Sequence, residues 1–129
     1  MKISTPEAMY EYWNKLSKNN NILLLYWELG AGKTTLIKWF AAWLWIDPEK
    51  VQSPTYAYIN IYDDKLLHID MYRLNSFEDL VEKGILNQIS EYEYIVIEWP
   101  KREDKLDISN ALKIEIKKIS AEVREVEIK

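Results

Sequence analysis

The sequence predicts an α/β chain: a short parallel sheet at the core, antiparallel hairpins flanking it, and helices on either side. Three observations predict it. The apolar run Ile22-Leu23-Leu24-Leu25 feeds into Tyr26-Trp27-Glu28-Leu29-Gly30-Ala31-Gly32-Lys33-Thr34-Thr35, and a helix-like run, Leu36 to Trp45, leaves it. Strand, glycine loop, Lys-Thr and helix, in that order, form the phosphate-cradling P-loop arrangement. Two pairs of period-two segments are joined by polar turns, as hairpins are. A second apolar run, Tyr94-Ile95-Val96-Ile97, ends in the acid Glu98. Together these give a P-loop NTPase-like three-layer fold, expected as one domain over residues 1–129.

Taken in order, Ser4-Thr5-Pro6-Glu7 reads as a helix start, with a hydroxyl cap, Pro in the first turn and Glu three residues after Ser4. Met9, Tyr12, Trp13 and Leu16 follow at helical spacing and make one apolar stripe. The polar run 17–21 ends that helix. After the first strand and the glycine loop, the second helix is expected to reach Ile46, closed by Asp47-Pro48. Ser53-Pro54-Thr55 then precedes a hairpin turning at Asp63-Asp64-Lys65. Ala57, Ile59 and Ile61 share one face with Leu67, Ile69 and Met71; Tyr56, Tyr58, Asn60 and Tyr62 share the other with His68, Asp70 and Tyr72. That pattern predicts one wet face. Ser76 caps a short acidic helix ending at Gly84, and a second short helix runs from Ile85 to Ser90. After the strand at 94–97, Leu112, Ile114 and Ile116 alternate with Lys113, Glu115 and Lys117, and Val123 to Ile128 completes a second hairpin.

Composition narrows the function. The 129 residues are 48% hydrophobic and 29% charged, as a soluble globular chain is. No apolar run approaches a membrane span, and the first residues lack the apolar core of a secretory signal. The absence of cysteine excludes disulfides and cysteine-bound zinc, and it suits a reducing cytoplasm. A formal charge of −4 with only three arginines argues against a chain that grips nucleic acid alone, so any nucleic acid is expected to be held by a partner.

The chemistry concentrates in four stretches. Successive backbone N–H groups from Leu29, Gly30, Ala31, Gly32, Lys33, Thr34 and Thr35 can hold a triphosphate at a helix N-terminus. Lys33 can reach the β- and γ-phosphates as a point charge, and the Thr34 hydroxyl can ligate Mg²⁺. The first position of G-x-x-x-x-G-K-[ST] is Trp27 here, so the pattern is incomplete, though Gly30, Gly32, Lys33 and Thr34 stay in register. Asp70 and Glu98 supply two acids at strand ends, and Thr55 sits where a loop could sense the γ-phosphate. An acid on a strand's wet face is usually a solvated charge, and a lone histidine such as His68 is usually structural. Arg73 can clamp phosphate or hold Asp70 or Glu78.

Glu28-Leu29-Gly30-Ala31-Gly32-Lys33-Thr34-Thr35, Ser53-Pro54-Thr55-Tyr56, His68-Ile69-Asp70-Met71-Tyr72-Arg73-Leu74 and Ile97-Glu98-Trp99-Pro100, in this order and spacing, resemble the TsaE (YjeE) family. The resemblance runs from about Ser4 to the C-terminus. It implies an ATPase, weak alone and stimulated by partners, in bacterial biosynthesis of tRNA threonylcarbamoyladenosine (t6A). It implies ATP and Mg²⁺ as cofactors and TsaD-like and TsaB-like proteins as partners. By the same resemblance Lys33 matches the P-loop lysine, Thr34 the metal-ligating threonine, and Thr55 a switch-like threonine. Asp70 and Glu98 match the acids of Mg²⁺ binding and hydrolysis, leaving open which does which, and Trp99 matches their aromatic neighbour. The competing readings are a small-molecule or nucleotide kinase and a degenerate P-loop scaffold that binds nucleotide poorly.

The tryptophans depart from that family. Trp13, Trp27, Trp39, Trp43 and Trp45 fall where its sequences usually carry glycine, and only Trp99 falls on a family tryptophan. Glycine is scarce, 3 of 129 residues against 6 tryptophans, where about 7% glycine is usual. A gene from a lineage that reads UGA as glycine, translated with UGA as tryptophan, would show this pattern. It predicts UGA at codons 13, 27, 39, 43 and 45 and UGG at codon 99. The bland alternative is a tryptophan-rich interface.

Overall fold

The structure is a computed structural model, and it describes residues 2–3, 5–15, 22–27, 33–52, 59–71, 74, 76–100, 111–118 and 124–128. Its strands are β1 (Lys2–Ile3), β2 (Ile22–Trp27), β3 (Ile59–Tyr62), β4 (Leu66–Asp70), β5 (Tyr94–Glu98), β6 (Leu112–Lys118) and β7 (Arg124–Ile128). Its helices are α1 (Pro6–Lys15), α2 (Lys33–Trp43), α3 (Phe77–Glu82) and α4 (Ile85–Glu91), with a 3₁₀ turn at Pro48–Lys50. The strands form one seven-stranded sheet in the order β1-β7-β6-β2-β5-β4-β3. The four central strands β6-β2-β5-β4 are parallel, while β3 on β4 and β7 on β6 are antiparallel hairpins. The expected P-loop NTPase-like three-layer α/β architecture, with a parallel core between hairpins, is the one observed.

The sheet divides the core in two. Leu23 and Leu25 point to one face and meet Met9 and Trp13 of α1 and Leu36, Ile37, Phe40 and Ala41 of α2. Leu24 points to the other and meets Ile69, Leu74, Ile85 and Ile89. A strand covered on both faces has no reason to alternate, which is why β2 reads as a continuous apolar run. Leu24 is 1% exposed in this double layer. Leu24→Ala is expected to cost about 2–5 kcal/mol, read as a lowered urea midpoint at unchanged slope.

The hairpin corrects one expectation. The face predicted to be wet carries Tyr62 and His68, and both are buried; on the opposite face Ile61 is exposed. The reason is position in the sheet. β4 lies between β3 and β5, so helices cover both of its faces; β3 is the edge strand, and there the outer apolar residue meets solvent. At the turn, Asp63 and Asp64 both take positive φ (54° and 52°), the backbone that matches a hairpin's twist. The short strand β1 was not predicted, because two residues carry no period. It pairs with β7 through Lys2↔Glu127 and Ile3↔Val126.

Helix ends follow their chemistry. The Thr5 hydroxyl accepts from the Ala8 N–H at 3.2 Å, so the cap of α1 is Thr5, with Pro6 at the first helical position. Ser76 caps α3, accepting from the Asp79 N–H at 3.3 Å, and Gly84 separates α3 from α4 at φ 69°. α2 stops at Trp43, short of the expected Ile46. The Ile46 N–H reaches back to the Ala41 carbonyl (2.9 Å) and the Trp45 N–H to Ala42 (3.0 Å), the two bonds of a Schellman closure.

That closure places Trp45 at φ 65° with 93% of its surface exposed. Glycine is the usual occupant there, since a Cβ in the left-handed region costs about 1–2 kcal/mol. Trp13 and Trp43 differ. Trp13 is buried, with ring centroids 5.1 Å from Phe40 and 5.6 Å from Trp43, and the Trp43 Nε1–H donates to Asn14 Oδ1 at 2.9 Å. The backbone therefore speaks to codon 45 alone. Trp45→Gly is expected to raise stability by about 1 kcal/mol, because the strain is relieved and almost no packing is lost. A lowered denaturation midpoint would contradict this, and UGG at codon 45 of the gene would remove the coding explanation there.

Candidate functional site

Parallel strands deliver their carboxyl ends to one edge of the sheet, and in such folds ligands bind there. β2 runs through Trp27 toward residues 28–32, and α2 begins at Lys33. The first turn of α2, Lys33-Thr34-Thr35, thus opens at the carboxyl end of β2. Its leading N–H groups lack partners within the helix, and the positive end of the dipole faces the same edge. α2 carries no acidic residue in that turn to offset it.

The next two strands bring the acids to this edge. β5 lies beside β2 with Leu25 opposite Glu98, and β4 lies beside β5 with Asp70 opposite Glu98. Residue parity along β4 and β5 places His68, Asp70 and Glu98 on the face covered by α2, shared with Leu66 and Val96. Backbone bonds continue past the strand ends: the Met71 N–H donates to the Glu98 carbonyl (3.0 Å) and the Trp99 N–H to the Leu25 carbonyl (3.1 Å). Glu98 is therefore held from both sides. Immediately after it the chain turns through Trp99 at φ 53°, a left-handed tryptophan at the end of the strand. Such strain persists only where the surroundings over-determine it.

The Glu98 carboxylate is 1% exposed. Oε1 lies 3.2 Å from His68 Nε2, within ion-pair distance though without the alignment of a full hydrogen bond. Among the described residues Oε2 has no hydrogen-bond partner. An orphaned buried carboxylate oxygen costs about 1–3 kcal/mol or more, and its chemistry is that of an acceptor waiting for a cation or a polarised water. Asp70, half-buried beside it, adds a second carboxylate. Among the described residues no three acidic or imidazole groups converge into a complete metal cage. This donor set fits Mg²⁺, which keeps several waters and takes one or two carboxylates alongside substrate phosphates. It does not suit a metal that demands a full set of protein ligands.

Of the residues singled out from sequence, Lys33, Thr34 and Thr35 fall in the first turn of α2, and Asp70 and Glu98 are brought side by side. Leu29, Gly30, Ala31, Gly32, Thr55 and Arg73 lie outside the described residues. Sequence reasoning passed over the pair behind Glu98. His68 is 1% exposed, and its Nδ1 lies 2.8 Å from the Tyr62 hydroxyl. The signal was available: the alternation put Tyr62, His68 and Asp70 on one face. Clefts of about 420 Å³ (Asp64, Lys65 and Glu91 to Tyr94) and 390 Å³ (Lys50, Gln52 and Asn60 to Asp63) open elsewhere, and neither contains Asp70 or Glu98.

Comparison with known proteins agrees with this geometry. The family model described as threonylcarbamoyl adenosine biosynthesis protein TsaE matches residues 3–126. A TsaE of Aquifex aeolicus, named a tRNA threonylcarbamoyladenosine biosynthesis protein, is 37% identical over 79% of this chain and 73% of its own length. The protein of the same name from Bacillus subtilis is 34% identical over 85% of this chain and 70% of its own. One from Treponema pallidum is 34% identical over 68% and 66%. A crystal structure of YdiB from Bacillus subtilis superposes with a TM-score of 0.59 at 29% identity, covering 98% of this chain and 82% of that one. With β2 followed by α2 and two acids on one sheet edge, and with the family's pattern matched nearly end to end, the chain belongs to the TsaE family, which takes part in the biosynthesis of tRNA threonylcarbamoyladenosine.

Proposed function

We propose that this chain binds and hydrolyses ATP with Mg²⁺ as the nucleotide-driven subunit of the assembly that forms t6A at position 37 of tRNA, acting beside TsaD-like and TsaB-like proteins. The observation that carries the reading is Glu98: a buried carboxylate with one oxygen unpartnered among the described residues, next to Asp70 on the sheet face that α2 covers. A fold alone does not retain such a group.

The roles follow from position. Backbone N–H groups of residues 29–35 cradle the phosphates, and Lys33 supplies a cation to the β- and γ-phosphates. Asp70 and the Thr34 hydroxyl, with Glu98 beside them, would hold Mg²⁺. The ion, when bound, neutralises charge gathering on the phosphate oxygens. Glu98 Oε2, buried and without a competing donor, orients the attacking water and accepts its proton. Thr55 senses the γ-phosphate from the segment that follows Gln52. With a charge of −4 the chain leaves tRNA to its partners, and among the described residues no helix is long and apolar enough to cross a membrane.

The test is ATP turnover by the purified chain, alone and with its TsaD-like and TsaB-like partners, with Mg²⁺ and after chelation. Slow turnover alone, stimulation by the partners and loss on chelation are expected. Phosphate transfer to small hydroxyl compounds without partners would instead make it a kinase. Absence of nucleotide binding in a titration would make it a scaffold.

A further inference from the structure

Glu98 is not held by its strand alone. A line of buried polar groups runs from the backbone of Gln52 through the Tyr62 hydroxyl and the His68 ring to Glu98 Oε1. All three side chains are buried, Tyr62 at 6% exposure and His68 and Glu98 at 1%. The line crosses three adjacent strands, β3, β4 and β5, on the face covered by α2.

The Tyr62 hydroxyl lies 2.8 Å from His68 Nδ1, 3.0 Å from the Gln52 carbonyl and 3.2 Å from the Gln52 N–H. Asn60 Nδ2 donates to the Gln52 carbonyl at 3.1 Å and also reaches the Tyr62 hydroxyl at 3.3 Å. A carbonyl oxygen accepts two hydrogen bonds, so Asn60 and Tyr62 can both serve it. Burial pushes the Tyr62 hydroxyl above its ordinary pKa, so it keeps its proton. Whichever way that proton points, Nδ1 is tied to the hydroxyl, and Nε2 on the far side of the ring lies 3.2 Å from Glu98 Oε1.

We propose that Tyr62 and His68 are positioning residues: Tyr62 fixes the orientation of the His68 ring, and His68 stands against Oε1 so that Oε2 alone is presented to the reaction. The backbone of Gln52 anchors Tyr62 at the start of this line. The proposal rests on the reading of Glu98 as part of an ATP-hydrolysing site, and its test separates the two.

His68 is the only histidine, so its ring nitrogens can be read without ambiguity in ¹⁵N-histidine-labelled protein. In the nucleotide-free chain Tyr62→Phe is expected to shift both ring-nitrogen resonances of His68, because the ring loses the contact that fixes it. Unchanged ring resonances in Tyr62→Phe overturn the proposal, whatever the chain does with ATP. In the hydrolysis assay with partners, Tyr62→Phe is expected to lower kcat about tenfold and leave KM for ATP within twofold. His68→Leu should do more, and His68→Gln, which keeps a donor toward Glu98, should recover most of the loss. Should His68→Leu unfold the chain, Tyr62→Phe, which removes one oxygen, decides. Unchanged kcat in Tyr62→Phe overturns the proposal; no ATP turnover in the wild type overturns the functional reading and leaves the spectrum to judge the relay.

Discussion

Glu98→Gln is expected to reduce ATP turnover by about 100-fold or more while leaving the chain as stable as before or more so. The two halves have one cause. A general base contributes about 10²–10⁴-fold, and an amide of the same shape cannot accept the proton of the attacking water. Yet the carboxylate stands almost entirely out of solvent with one oxygen unpartnered, and removing a buried charge relieves its desolvation. Asp70→Asn should differ in kind, raising the Mg²⁺ concentration needed for half-maximal turnover, because Asp70 is assigned to the cation. The checks are an Mg²⁺ titration of turnover and a thermal melt of each variant. If both variants hydrolyse ATP normally with the partners present, the two acids are only charges at a strand end and the site is elsewhere.

Lys33→Ala is expected to weaken ATP binding about tenfold to a hundredfold and to remove measurable hydrolysis. Losing hydrogen bonds from a charged donor costs about 1.5–3 kcal/mol, and the N–H groups of the α2 first turn remain to hold part of the phosphate. Binding should therefore weaken without vanishing, which calorimetric titration of nucleotide can resolve. Unchanged affinity and turnover would remove the phosphate-cradle reading altogether.

Much of this was legible in the residues, for reasons that differ from element to element. β2 and β5 could be read because strands buried on both faces are continuously apolar, and each ends at a chemical group. Ser4-Thr5-Pro6-Glu7 and Ser76 announced α1 and α3, since capping is a local event, though only the structure shows that Thr5 is the cap of α1. The hairpin at 59–70 misled because alternation shows that a strand has two faces and does not show what covers them. Only the sheet order, with β4 enclosed between β3 and β5, explains a buried His68 and an exposed Ile61. For the site, the separate acids were visible, and their adjacency was not. Asp70 and Glu98 are 28 residues apart in sequence (98 − 70) and become neighbours through register alone.

The same parallel pairing has a consequence for how the chain is made. Strand β2 takes one neighbour from residues 94–98 and the other from residues 112–118. Leu23 waits for Leu112, a separation of 89 residues (112 − 23). A ribosome extends the chain from the N-terminus at about 5–20 residues per second, so for several seconds β2 stands with both edges open. Pairings this distant also form slowly, because loop closure precedes any return from contact. The proposed nucleotide site would thus be among the last parts to be completed, since Glu98 has first to emerge and dock beside Leu25.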